Sequence, residues 1–335
     1  MKILVKPASE QSKPPEKAYQ PHIALIFFIT ASLLVISFCG SAEGSAQKIC
    51  FGAPARDTLQ NECQRKSINL KVFPTPTAAK SLFGQYGADR NANLCRGGLA
   101  MRGGLVACNL GVPASKAKQS IALIGDSHSA HWRPGVDLAA KKAGWSVVSL
   151  AKGSCDYTMP ERVFRSSGVK EAECKVWRAR MPGWLKERPS IHTVIFAQNI
   201  YGSWQAPLEV ESYKTAWSKL PVTIKRIIVI RDAPNASDNN AKCIDRAIQK
   251  RVDAGRACKY PRSVALRDDL AVRAARELDR PNVNVIDLTR FYCSSNSCFP
   301  VVGGALVYAQ GSHLTPTFNE TLGPYLLEAA QKLFS

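Results

Sequence analysis

Residues 121–128 read Ile121-Ala122-Leu123-Ile124-Gly125-Asp126-Ser127-His128, an apolar run that stops abruptly in a Gly-Asp-Ser turn. Four consecutive aliphatic residues fit a strand buried on both faces, the pattern of a parallel sheet covered by helices. A strand ending in small residues presents its next side chain at the carboxyl edge of the sheet, where open α/β folds place their ligands. Ser127 takes that position. A serine hydroxyl is a weak nucleophile until a base accepts its proton, and imidazole is the usual base near neutral pH. The candidate base is His313, in Gly311-Ser312-His313-Leu314-Thr315.

Apolar runs and amphipathic segments alternate from residue 119 onward, the signature of β/α units. Strands are predicted at 120–126, 145–151, 192–198, 226–232 and 283–288. Helices are predicted at 129–143, 171–187, 207–219, 262–279 and 316–333, the last started by Thr315 as cap with Pro316 at its first position. The expected fold is α/β, a three-layer α/β/α sandwich with a mainly parallel five-stranded sheet. Residues 41–118, rich in Gly, Pro, Ala and Cys, read as a disulfide-held lead-in to a domain spanning 119–335.

The 335 residues are 45% apolar and 21% charged, enough to bury a large core. Residues 1–21 form a polar tail carrying Lys2, Lys6, Lys13 and Lys17. The stretch 22–40 holds an uninterrupted apolar or small run from Ile23 to Phe38 and reads as a signal-anchor or a cleaved signal peptide. The lysines stay cytoplasmic, which puts the remainder outside, either anchored to the inner membrane or free in the periplasm. Phe38 is too bulky to precede a lipidated cysteine, so Cys39 is not expected to carry lipid. The ten later cysteines fall in short-range couples: Cys50/Cys63, Cys95/Cys108, Cys155/Cys174, Cys243/Cys258 and Cys293/Cys298. Ten cysteines allow about 945 pairings, and nearest-neighbour disulfides are expected, as suits an exported domain.

None of these spacings makes a metal knuckle. His128-x-x-His131 could put two imidazoles on one helical face, but no third ligand lies nearby in sequence, so neither metal nor cofactor is expected. The net charge of +19 lies almost wholly beyond residue 46. Such a surface would attract anionic envelope polymers or lipid headgroups over long range, while the plainer reading is a merely basic, solvated surface. Nucleic acid is a poor partner in that compartment, and the Arg96-Gly97-Gly98-Leu99 and Arg102-Gly103-Gly104-Leu105 doublet reads as a stapled turn. Trp132, Trp145, Trp177 and Trp184 are assigned mainly to core packing, and His131 and His192 to structure.

Several ordered landmarks accompany the Gly-Asp-Ser turn. They are Cys50-Phe51-Gly52-Ala53, Trp132, Gly144-Trp145 leading to Cys155, Arg231-Asp232-Ala233-Pro234 before Cys243, Asp287-Leu288-Thr289, Cys298-Phe299-Pro300-Val301-Val302-Gly303-Gly304, and Tyr308 to Thr315. In these the chain resembles the SGNH hydrolase-like domain associated with acyltransferase-3 membrane proteins that O-acylate cell-surface glycans. The resemblance implies Ser127 as nucleophile, His313 as base, and an oxyanion hole from the Ser127 amide, Gly153 and Asn199. It also implies an aspartate three residues before the base, where this chain has Gln310. The Gln310 side chain could hold the imidazole tautomer without supplying negative charge, and Asp126, Asp156 or Asp287 would be substitutes if the fold brought one to the ring. Asp126 itself is expected to brace the turn.

The implied activity is O-acyl, chiefly O-acetyl, transfer or ester hydrolysis on envelope polysaccharide through an acyl-serine. A separate membrane-embedded acyltransferase would supply any acyl group crossing the membrane. The alternative is an accessory or glycan-binding module with weakened chemistry.

Overall fold

The computed structural model of the chain describes residues 50–57, 63, 71–83, 100–101, 105–158, 168–200, 209–236 and 240–334. All lie in one compact unit, Ser41–Ser335. The polar tail, the apolar segment 22–40, Cys95 and most of the Arg-Gly-Gly doublet fall outside the described residues. Among the described residues no helix is long and apolar enough to cross a membrane.

The central sheet has strands β1 (Cys108–Gly111), β2 (Gln119–Gly125), β3 (Trp145–Ala151), β4 (Ile191–Phe196), β5 (Arg226–Ile230) and β6 (Val283–Ile286), in the order β1-β3-β2-β4-β5-β6. Strands β2 to β6 are parallel, and β1 runs antiparallel along β3 with Cys108 opposite Ser149. Among the described residues the sheet therefore has six strands, not five. Its extra edge strand comes from the stretch 41–118 that reads as a lead-in, because four residues are too few to show a period.

Alternate residues of each strand point to opposite faces, and both faces are covered. Ile121, Leu123, Val147, Ile195 and Ile228 pack under α2 (Arg133–Ala143) and α7 (Pro316–Phe334). Ala122, Ile124, Leu150, Val194 and Phe196 pack against α3 (Gly168–Lys186), α4 (Val210–Ser218) and α6 (Leu270–Leu278). Trp132, Trp145, Trp177 and Trp184 are all buried in these layers. The three-layer α/β/α sandwich is as expected.

The helices differ from expectation in their breaks and in one added helix. The segment 129–143 is two helices, α1 (Ser127–His131) and α2, broken at Trp132 with Pro134 in the first turn of α2. The segment 262–279 is also divided, because Asp269 accepts from the Ala271 and Val272 amides and starts α6 afresh. Helix α5 (Asn240–Gln249) has no counterpart among the predicted helices, since it buries only Ile244 and Ala247. Helix α7 begins as expected, with Thr315 Oγ1 accepting from the Phe318 amide.

Among the described residues four cysteine couples are bonded: Cys50–Cys63, Cys155–Cys174, Cys243–Cys258 and Cys293–Cys298. Cys108 is also disulfide-bonded. These bridges mark the domain as extracytoplasmic.

Candidate active site

Strand β2 ends in Gly125, where a side chain has no room. A Cβ would lie 1.9 Å from the Ala197 carbonyl oxygen beyond β4. Asp126 then caps α1, its Oδ1 accepting from the His128 amide at 2.8 Å and its Oδ2 from the Asn199 amide at 3.0 Å. Asp126 thus braces the turn, and burial raises its carboxyl to about 6. Ser127 follows as the first residue of α1, half-buried at the carboxyl edge of the sheet.

The second half of the site arrives on a short hairpin, β7 (Tyr308–Gln310) and β8 (His313–Leu314). Gly311 makes its turn with φ of 54°, a left-handed conformation that costs glycine little. His313 Nε2 lies 2.9 Å from Ser127 Oγ. Its Nδ1 lies 3.2 Å from the backbone carbonyl of Gln310. A carbonyl can only accept, so Nδ1 carries the proton and Nε2 turns its lone pair toward the serine.

This corrects the expected role of the Gln310 side chain, which is exposed; the main chain holds the ring instead. The substitute acids are engaged elsewhere. Asp156 is buried against Arg178, whose Nη2 is 2.9 Å from its Oδ1. Asp287 accepts from the Thr289 amide and faces Arg231 at 3.6 Å. Burial and the neighbouring His128 together press His313 down to about 3.

Gly153 and Asn199 both flank the serine turn. Lys152, the residue before Gly153, donates its amide to the Gly125 carbonyl at 3.0 Å. Asn199 is tied by its own amide to Asp126. Both loops thus approach the turn from strands on either side of β2.

Sequence reasoning missed what lies beneath this pair. Asp232, just past β5, places Oδ1 2.5 Å from His128 Nδ1, and Ser312 Oγ lies 3.2 Å from His128 Nε2. His131 packs beside them with its Nδ1 3.5 Å from the Leu314 amide. The available signal was an aspartate at the carboxyl end of a predicted strand, in Arg231-Asp232-Ala233-Pro234. Asp232 also supplies the third donor type that the sequence lacked near His128 and His131, with one donor atom from each within 4.8 Å. The 2.5 Å contact between His128 Nδ1 and Asp232 Oδ1 is a direct hydrogen bond. As arranged, the cluster is a hydrogen-bonded polar network.

A cleft lies near the hairpin, lined by Lys80, Asn240, Ile244, Tyr308, Gln310 and Gly311 among others.

A three-layer α/β/α domain with a Ser–His pair at the carboxyl edge of its sheet has the architecture of a serine hydrolase. The chain belongs to the family of SGNH domains fused to AT3 domains, whose model matches residues 94–328, and its role is hydrolase- or acyltransferase-like. Among solved structures it resembles the periplasmic domain of a Salmonella ser. Paratyphi A lipopolysaccharide acetyltransferase. That match has a TM-score of 0.54 and 15% identity, covering 77% of this chain and 98% of that one. No curated protein sequence matches the chain.

Proposed function

We propose that the domain transfers or hydrolyses O-acyl groups, chiefly acetyl, on an envelope polysaccharide. The observation that carries this reading is the 2.9 Å approach of His313 Nε2 to Ser127 Oγ, with the ring held in the base tautomer. Ser127 Oγ attacks the ester carbonyl while its proton passes to His313 Nε2. The Ser127 amide, Gly153 and Asn199 are assigned to the resulting oxyanion, where one such donor is worth roughly 3 kcal/mol. Collapse expels the alcohol with the proton from His313 and leaves acyl-Ser127. A sugar hydroxyl or water then attacks, giving its proton to His313; collapse returns that proton to Ser127 Oγ and releases the acyl group bonded to the acceptor oxygen. Which acceptor wins depends on how far the cleft excludes water.

The absence of an acid at position 310 favours a second reading, an accessory glycan-binding domain partnering a membrane acyltransferase. In either case 22–40 is assigned as the anchor or export signal.

The two readings separate on purified protein treated with a serine-directed fluorophosphonate and with p-nitrophenyl acetate. The enzyme reading expects labelling and turnover that vanish in Ser127→Ala. Equal signals from both proteins would remove the enzyme reading and leave the accessory one.

A further inference from the structure

His128 follows Ser127 in α1 and is fully buried, yet both of its ring nitrogens are engaged. Nδ1 donates to Asp232 Oδ1, and Nε2 meets Ser312 Oγ in the turn that carries His313. Asp232 is itself fixed, accepting from the Ala233 amide at 2.8 Å and the Ile200 amide at 3.0 Å. The His128 ring stands edge-on to His313 with 4.6 Å between centroids.

We infer that His128 is a built-in cation, held charged by Asp232 and tied to the hairpin through Ser312, whose contact with His313 keeps that ring neutral and able to accept a proton in acid. The inference rests on His313 being the base for Ser127. His128 is therefore a positioning residue, acting through His313.

The surrounding charges are consistent with this assignment. His128 faces Asp232 and Asp126, and both favour its charged form against the cost of burial. His313 faces His128 and His131, and its ring nitrogens meet Ser127 Oγ and the Gln310 carbonyl. His131 is pushed well down by burial and by the other two rings, so it stays neutral. Behind Asp232 stand Asp269, whose Oδ2 accepts the Asp232 amide, and the buried Tyr292. A like charge within about 4–6 Å disfavours charging of its neighbour, here acting beside burial, which is the larger cause.

A triad carboxylate normally does two things: it fixes the tautomer of the base and stabilises the imidazolium. Here the Gln310 carbonyl does the first, and His128 does the reverse of the second. The base is weak, but it remains unprotonated at a pH where an ordinary Ser–His pair is switched off.

The chain has five histidines, at 22, 128, 131, 192 and 313, so ¹³C-histidine NMR of the full chain can be assigned by single substitutions. The expected result is that His128 stays charged past pH 6.5 while His313 stays neutral down to about 3. In His128→Gln the His313 midpoint rises by about one unit or more, and any acid limb of acetyl-ester hydrolysis rises with it. Asp232→Asn, which leaves the imidazole in place but removes its anion, moves His313 the same way. A His128 already neutral at pH 6, or a His313 midpoint unmoved in both variants, overturns the inference. The titrations read charge whether or not the ester is turned over, so failure of the enzyme reading is visible separately in the Ser127→Ala comparison.

Discussion

Replacing the side chain of Gln310 tests which part of that residue orients the base. The ring of His313 bonds to the main-chain oxygen at 3.2 Å, and the side chain is exposed. Gln310→Ala should therefore leave kcat/KM for an acetyl ester within about threefold, under 1 kcal/mol of transition-state stabilisation. A loss of tenfold or more would show that the side-chain amide holds the imidazole. The residues Ser127, His313 and Gln310 were all legible in the sequence. The partner of His313 Nδ1 was not, because a backbone carbonyl is present at every residue and only the turn at Gly311 aims this one.

Two strand-ending loops flank the serine turn, and the one after β3 is held to α3 twice. Cys155 is bonded to Cys174, and Asp156 pairs with Arg178, whose Nε also donates to the Asp156 carbonyl at 2.6 Å. Both members of the ion pair are essentially inaccessible to solvent. Removing one partner of such a pair strands a buried charge and costs about 3–5 kcal/mol. Arg178→Met is expected to lower unfolding free energy by that amount in urea titrations. It should also loosen the loop that carries Gly153, lowering kcat more than it raises KM. A change below 1 kcal/mol would mean that Asp156 finds another partner. The elements themselves were largely readable from their apolar periods. Their breaks at Trp132 and Asp269 were not, because one falls at a residue near Pro134 and the other at a side-chain cap, and neither is part of a repeating pattern.

Over the whole domain, disulfides close loops on a core that is already well buried. Cys243–Cys258 ties α5 to the short helix Ala254–Ala257 and spans 15 residues. Closing a loop of that size contributes about 3 kcal/mol, chiefly by restricting the unfolded chain. Replacing both cysteines with alanine should lower stability by about 2–4 kcal/mol, read from urea unfolding. Fluorophosphonate labelling of the folded protein should not change, and loss of labelling under native conditions would show that this bridge shapes the site as well. The sequence by itself determined the layered α/β fold, the serine at a strand end, the histidine near the C-terminus and the short-range cysteine couples, because each is written in local pattern or spacing. Only the tertiary structure decided that Asp232, His128 and Ser312 form a network under the Ser127–His313 pair. Their contacts join residues 104 and 184 positions apart. Such contacts leave no period or local spacing in the chain; they arise only when parallel strands gather their carboxyl ends at one edge of the sheet.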